Sequence, residues 1–216
     1  MTYLQAINKV LRRLREDEVT SADETSYSKL IGEFINDANR AVEDAWDWSM
    51  LRTLTPVTNL TALTTQFSVT GLTESDKILG VYNLTDKEEI QLGSQQGLYN
   101  SVYIEQAPRG RPDNYVTLGQ DPNGNNQVQF YPNPDSAKVI LFNYVGRTPE
   151  LTSDTALVKA PSTPVVQLAH AMAAEERGET GGTNASKLYA VAQSSLSDAI
   201  AMDAGRFPTE TVWYNV

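Results

Sequence analysis

Apolar residues in the first fifty positions recur with a helical period. Leu4, Ile7, Leu11 and Leu14 share one face, with Arg12, Arg13 and Arg15 elsewhere on the turn, which predicts an amphipathic helix over 4–14. A polar link, EDEVTSADET, follows. Tyr27, Leu30, Ile31, Phe34, Ile35, Ala38, Val42, Ala45 and Trp46 then trace a second stripe that runs to about Met50. Such a helix would be about 36 Å long, with Thr25 or Ser26 accepting from the free amides of its first turn.

From Thr53 to Val145 the period changes to two, and turn residues separate short runs. FSVTGL, KILGVYNLT, NSVYIEQ, NYVTLG, NQVQFYP and KVILFNYV are the expected strands. DPNGNNQ, residues 121–127, is an antiparallel hairpin turn, because Gly124 and its Asn neighbours tolerate positive φ. Pro132 and Pro134 bound the strand Gln127 to Tyr131, since proline donates nothing to a ladder.

Helical spacing returns near Pro161. Thr163 is the expected cap, Pro164 suits the first turn, Val165, Leu168, Ala169, Met172 and Ala173 form the apolar side, and Gly178 ends it. The link GETGGTN leads to a further stripe of Ala185, Leu188, Tyr189, Ala192, Leu196, Ala199 and Ile200, which Gly205 and Pro208 terminate. Helices on both flanks of a strand-rich middle indicate an α+β fold. The economical arrangement is a four-helix bundle built from the N- and C-terminal helix pairs (1–53 and 155–205), an inserted antiparallel β-sandwich or barrel-like domain (54–154) and a C-terminal tail (206–216).

Composition narrows the chemistry. A chain of 216 residues can bury a core without staples, and the absence of cysteine removes thiolate catalysis, disulfides and Cys-based zinc sites. No stretch resembles a signal peptide or a membrane span, so neither secretion nor a membrane partner is expected. The sequons at Asn59, Asn83 and Asn184 are read as chance matches. A net charge of −10 argues against tight binding of DNA, an affinity that comes from Lys and Arg neutralising phosphates.

No catalytic, metal or cofactor site emerges. His170, the single histidine, lies mid-helix between alanines and is a poor general base. Asp121, Asn123 and Asn125 imitate a calcium loop, but glycine falls at the fourth place and Pro132 takes that of the bidentate acid. GETGGTN lacks the Lys-Ser/Thr pair of a phosphate cradle. Glu88 and Glu89, Glu175 and Glu176, and Glu43, Asp44 and Asp47 read as solvated faces.

The segment VEDAWDWSMLR, residues 42–52, places two tryptophans about 200° apart on an ideal helix, so they cannot share a face. One is expected to plug the bundle, the other to pack against the β block or a neighbouring chain. The segment reads as the junction between bundle and insertion.

Four features together resemble the head-to-tail adaptor proteins of tailed phages, in particular the tail-tubular-protein-A-like proteins of short-tailed phages. They are the long helix ending in Trp46-Asp47-Trp48 with Arg52 following; Arg109-Gly110-Arg111-Pro112-Asp113-Asn114-Tyr115; Val128-Gln129-Phe130-Tyr131-Pro132-Asn133-Pro134; and Leu141-Phe142-Asn143-Tyr144 leading to Pro149 and Leu151. The resemblance covers almost the whole chain. It implies a non-enzymatic virion protein, made in the host cytoplasm, that forms a ring of twelve copies. One side of that ring meets the portal protein and the other the tail nozzle or tail tube protein.

The genome would pass through the lumen, where an acidic wall offers phosphates no counter-charges. The expected interface residues are Trp46, Trp48, Arg52, Arg109, Arg111, Tyr115, Arg147, Phe207, Trp213 and Tyr214. The arginines would pair with acids of an adjacent subunit, and the tail aromatics would either order on assembly or pack back on the bundle. The competing reading is a receptor- or carbohydrate-binding β module that stacks sugars on Tyr99, Tyr103 and Tyr115. A hydrolase ranks third, for want of thiols and of a second histidine.

Overall fold

A computed structural model describes residues 1–55, 58–60, 66–104, 109–178 and 183–206. In chain order the elements are α1 (Tyr3–Arg13), α2 (Ser26–Asp44), β1 (Arg52–Leu54), β2 (Thr58–Leu60), β3 (Gln66–Thr73), β4 (Lys77–Asn83), β5 (Glu88–Leu92), α3 (Gln95–Tyr99), β6 (Asn114–Gln120), β7 (Asn125–Tyr131), β8 (Lys138–Val145), α4 (Ser162–Glu176) and α5 (Thr183–Ala204). The fold is α+β. Two compact units divide it: a helical unit of Met1–Leu51 and the chain from Thr148 onward, and a β unit of Arg52–Arg147.

In the helical unit, α1 begins with a reciprocal cap in which the Gln5 amide donates to Thr2 Oγ1 (3.3 Å) and the Thr2 amide to Gln5 Oε1 (3.0 Å). Thr25 and Ser28 repeat the device at α2, and the Ser28 hydroxyl also donates to the Ala22 carbonyl at 2.8 Å. Tyr3, Ala6, Ile7, Val10 and Leu11 of α1 are buried. At Gly32 of α2, the Tyr3 ring approaches so closely that an added Cβ would lie 2.2 Å from its hydroxyl oxygen.

The two longest helices are treated differently. α1, α2 and α4 pack against one another, and α5 packs on α4. α4 is therefore covered on several sides, and buries Pro164, Val165, Val166, Ala169, Ala171, Ala173 and Ala174. An even four-helix bundle would bury α5 as deeply as α2. Instead Ala192 and Asp203 are the buried residues of α5 among the described ones, while Leu188, Tyr189, Leu196, Ala199 and Ile200 are half-covered.

α2 stops at Asp44, short of the expected Met50. A helix leaves its last carbonyls without partners, and here the Trp48 indole folds back to donate to the Val42 carbonyl at 2.7 Å. α4 starts at Ser162 behind Pro161, with no side-chain cap, so Thr163 does not cap it. Gly178, at φ 68°, ends α4 as expected, its amide reaching the Glu175 carbonyl at 2.9 Å.

The helical unit reclaims the chain at Thr148, because residues after it are strapped to the N-terminal helices. The Leu151 amide donates to Asn36 Oδ1 (2.9 Å), the Ala22 amide to Asp154 Oδ1 (2.8 Å) and the Tyr3 amide to the Ala156 carbonyl (2.8 Å).

The β unit is one sheet in the order β1-β8-β4-β5-β6-β7-β3, with β2 also on β8, curled into a half-barrel. Its core is Leu60, Val69, Leu72, Val81, Ile90, Tyr115, Val128, Phe130, Ile140, Phe142 and Tyr144, with the Phe130 and Phe142 rings 6.4 Å apart. Register shifts in the β3–β7, β6–β7 and β4–β8 pairs add local twist and help the sheet to curl. The hairpin of β6 and β7 is antiparallel as expected. Gly124 at φ 81° makes its turn, and Asp121 accepts from the amides of Asn123 and Asn125, both at 2.8 Å.

The expected all-antiparallel sheet is corrected by β5 and β6, which pair in parallel. A parallel pair needs a crossover, and residues 93–113 supply one that includes α3. Within it Asn100–Ile104, the described part of NSVYIEQ, is not a strand. Ser94 caps α3 by accepting from the Gly97 amide, and Asn100–Ile104 continue as wider helical turns. Glu88 and Glu89, read as a solvated face, are exposed, and they open β5, a strand not among the expected ones, with Ile90 in the core.

Candidate interaction surfaces

The end of α2 holds the first surface, and the two tryptophans take opposite roles there. Trp48 is completely buried within the helical unit, bonded to Val42. Trp46 is 38% exposed, and its indole donates to Asp203 Oδ2 of α5 at 3.2 Å. The same carboxylate accepts from the Ser49 amide (2.9 Å) and hydroxyl (2.5 Å). Burial pushes the Asp203 carboxyl up, but the Ser49 and Trp46 donors outweigh it, with a smaller contribution from Arg206, and hold the group below its ordinary 3.8. The segment after α2 is thereby tied to the last turn of α5. Trp48 lies outside the interface set, because its surface is spent on its own unit.

Glu43 contradicts the solvated-face reading of the acids beside these tryptophans. It is 6% exposed, and its carboxylate accepts from Asn39 Nδ2 (2.9 Å), the Thr148 amide (3.2 Å) and the Thr148 hydroxyl. The signal was local: Asn39 and Glu43 are one turn apart on the same stripe as Ile35 and Val42. Only the fold could supply Thr148.

The β-unit candidates form no single patch. Arg52 opens β1 opposite Val145 of β8, and the Arg147 amide donates to Asp76 Oδ1 at 2.9 Å, which places both arginines at the far end of β8. Arg109 and Arg111 flank Gly110, which bridges to Pro134 ahead of β8. An eight-residue strand separates the two pairs by roughly 25 Å. Arg111 already has an acid in its own chain, Glu88, at 2.6 Å.

Tyr115 is 5% exposed and belongs to the sheet core, so it neither joins an interface nor stacks a sugar; burial raises its hydroxyl above the ordinary tyrosine range. Tyr99 is 42% exposed. Without Tyr115 the three-tyrosine platform is lost, and the side chain of Tyr103, like Phe207, Trp213 and Tyr214, lies outside the described residues.

Sequence reasoning missed Lys138. Although cationic it is 6% exposed at the start of β8, and it bridges Asp86 (2.9 Å) and Asp135 (3.5 Å) while Asn83 donates to Asp86 at 2.8 Å. The hydrogen bond from Lys138 holds the Asp86 carboxyl down, and the same bond raises the Lys138 amine. Asn83, one of the sequon asparagines, is 1% exposed in this cluster.

Clefts also mark the helical unit. One, of about 370 Å³, lies between α4 and α5 and is lined by Leu168, Tyr189, Ala192 and Leu196, with Val42 of α2. The Tyr189 hydroxyl donates to Glu175 at 2.5 Å, and burial together with that carboxylate pushes its pKa up to about 12. Another, of about 320 Å³, is lined by Lys9, Arg12, Arg13, Ser162, Thr163 and Val166. No helix among the described residues is long and apolar enough to cross a membrane, and no cluster of His, Asp and Glu among them could hold a metal ion.

Two of the stretches that carry the adaptor resemblance meet in the sheet: Asn114 and Tyr115 of β6 pair with Tyr131 and Phe130 of β7, and the Gly110 amide donates to the Asn133 carbonyl at 3.0 Å. The family model described as SU10 adaptor protein matches residues 1–211, and the chain belongs to that family. It is thus a phage adaptor, a structural protein of the virion that contacts other virion proteins. No curated protein matches the chain.

Proposed function

We propose that this member of the SU10 adaptor family is a head-to-tail adaptor of the tail-tubular-protein-A-like kind, assembled as a ring of twelve copies. One side of the ring meets the portal and the other the tail nozzle. The family match over residues 1–211 carries the reading. Helical units pack side by side around the ring, and the β unit is an insertion that reaches other copies or the nozzle. The lumen conducts duplex DNA without binding it, since a chain of charge −10 offers phosphates little attraction.

Trp46, Arg52, Arg109, Arg111 and Arg147 are the interface residues of this proposal that the structure leaves at the surface. Phe207, Trp213 and Tyr214 complete it as anchors that engage the portal on assembly. Deletion of residues 207–216 tests the attachment. The full chain should co-sediment with portal-bearing heads lacking tails and the shortened chain should not; equal attachment of both removes the tail from the proposal, and attachment of neither removes the portal contact.

A further inference from the structure

Several exposed charges of the helical unit are neutralised within the chain. Arg12 pairs with Glu18 at 3.1 Å, Lys29 with Asp23 at 3.9 Å and Arg40 with Glu150 at 3.6 Å. Two sets are not. Lys9 and Arg13, four residues apart on α1, are exposed and form no ion pair among the described residues; the same holds for Glu33 and Asp37, four residues apart on α2. Residues at that spacing stand one above the other on a helix face, roughly 6 Å apart, so the two cations match the two acids in spacing as well as in sign.

The two pairs are set differently. Lys9, Arg12 and Arg13 line the cleft of about 320 Å³ with Ser162, Thr163 and Val166, and no carboxylate lines it. Glu33 and Asp37 are both exposed on α2. The two patches cannot meet inside one chain, because packing fixes α1 against α2, with the Tyr3 ring over Gly32. Two complementary patches on different faces of one subunit specify a head-to-tail contact, and repetition of such a contact closes a ring when its rotation allows.

We propose that the Lys9/Arg13 cleft of one copy receives the Glu33/Asp37 turn of α2 of a second copy. The proposal rests on the ring reading above, and identifies the surfaces by which neighbouring copies meet. Exposed ion pairs of this kind set orientation and encounter rate more than affinity, so the contact fixes direction around the ring while other contacts hold it.

The chain has no cysteine, so introduced thiols report one contact cleanly. Particles assembled with the exposed-site double variant K9C/D37C and oxidised should yield a ladder of disulfide-linked chains beyond the dimer on a non-reducing gel. A mixture of K9C and D37C single variants should stop at dimers. Monomer alone from double-variant particles that contain the protein overturns this contact and leaves the adaptor reading standing; absence of the wild-type protein from particles overturns both. A second test needs no oxidation. K9E/R13E and E33K/D37K should each fail to enter particles alone, and co-expression should restore entry by alternating the two, whereas normal entry of either one alone contradicts the contact.

Discussion

α2 and α5 are the two longest helices, and they solve the problem of stability differently. α2, of 19 residues, buries eight of them, including Ile31, Ile35, Ala38 and Val42, between α1 and α4. α5, of 22 residues, buries Ala192 and Asp203 among its described residues and leaves Val191 53% and Met202 71% exposed. α2 is held by apolar area, whereas α5 is held by a half-covered stripe on α4 and by one carboxylate that grips Trp46 and Ser49. A long helix secured in this way keeps much of its described surface in water.

Substitutions can break that contrast. The largest effect belongs to Trp48→Ala, which removes the ring that fills the end of α2 and caps Val42; equilibrium denaturation should show a loss of about 3 to 5 kcal/mol. Ile35→Ala, fully buried on α2, should cost about 3 kcal/mol, while Leu196→Ala on the half-covered face of α5 should cost about 1 kcal/mol. Equal costs would erase the distinction between the two helices.

Asp203→Ala should cost about 2 kcal/mol, since it leaves the Trp46 and Ser49 donors without their acceptor, and local hydrogen exchange should rise at both ends of the tie. Its pH dependence follows from the depressed carboxyl. The stabilisation is complete above the ordinary value of 3.8 and is lost as pH falls through the lower folded value, so the wild-type advantage over Asp203→Ala should vanish in strong acid. The smallest effect is Met202→Ser, within about 0.5 kcal/mol, because the side chain is already in water.

The same contrast explains what could be read from residue order. Periodicity locates the four long helices, the hairpin at Gly124 and most strands, though not α3, because local backbone chemistry and alternation are short-range properties. It locates the α5 stripe through Leu188, Ala192 and Leu196, but cannot say that one neighbour rather than two would cover it. Trp46 and Trp48 look equivalent in sequence; only the early end of α2 sends one inward and the other to Asp203, 157 residues away.

In the β unit, Asn100–Ile104 alternate like a strand and fold as helical turns because the Ser94 cap starts a helix just upstream. Lys138 was invisible as a buried cation, since its partner Asp86 lies 52 residues upstream, between β4 and β5. Tyr115 carries part of the adaptor resemblance for the bland reason that it fills the core.

Single-particle reconstruction of the head–tail vertex of intact virions tests the account most directly. It should show twelve copies of this chain between portal and nozzle, neighbouring helical units in contact, and an open channel on the axis. A vertex without this polypeptide, or with copies that do not touch one another, would contradict it.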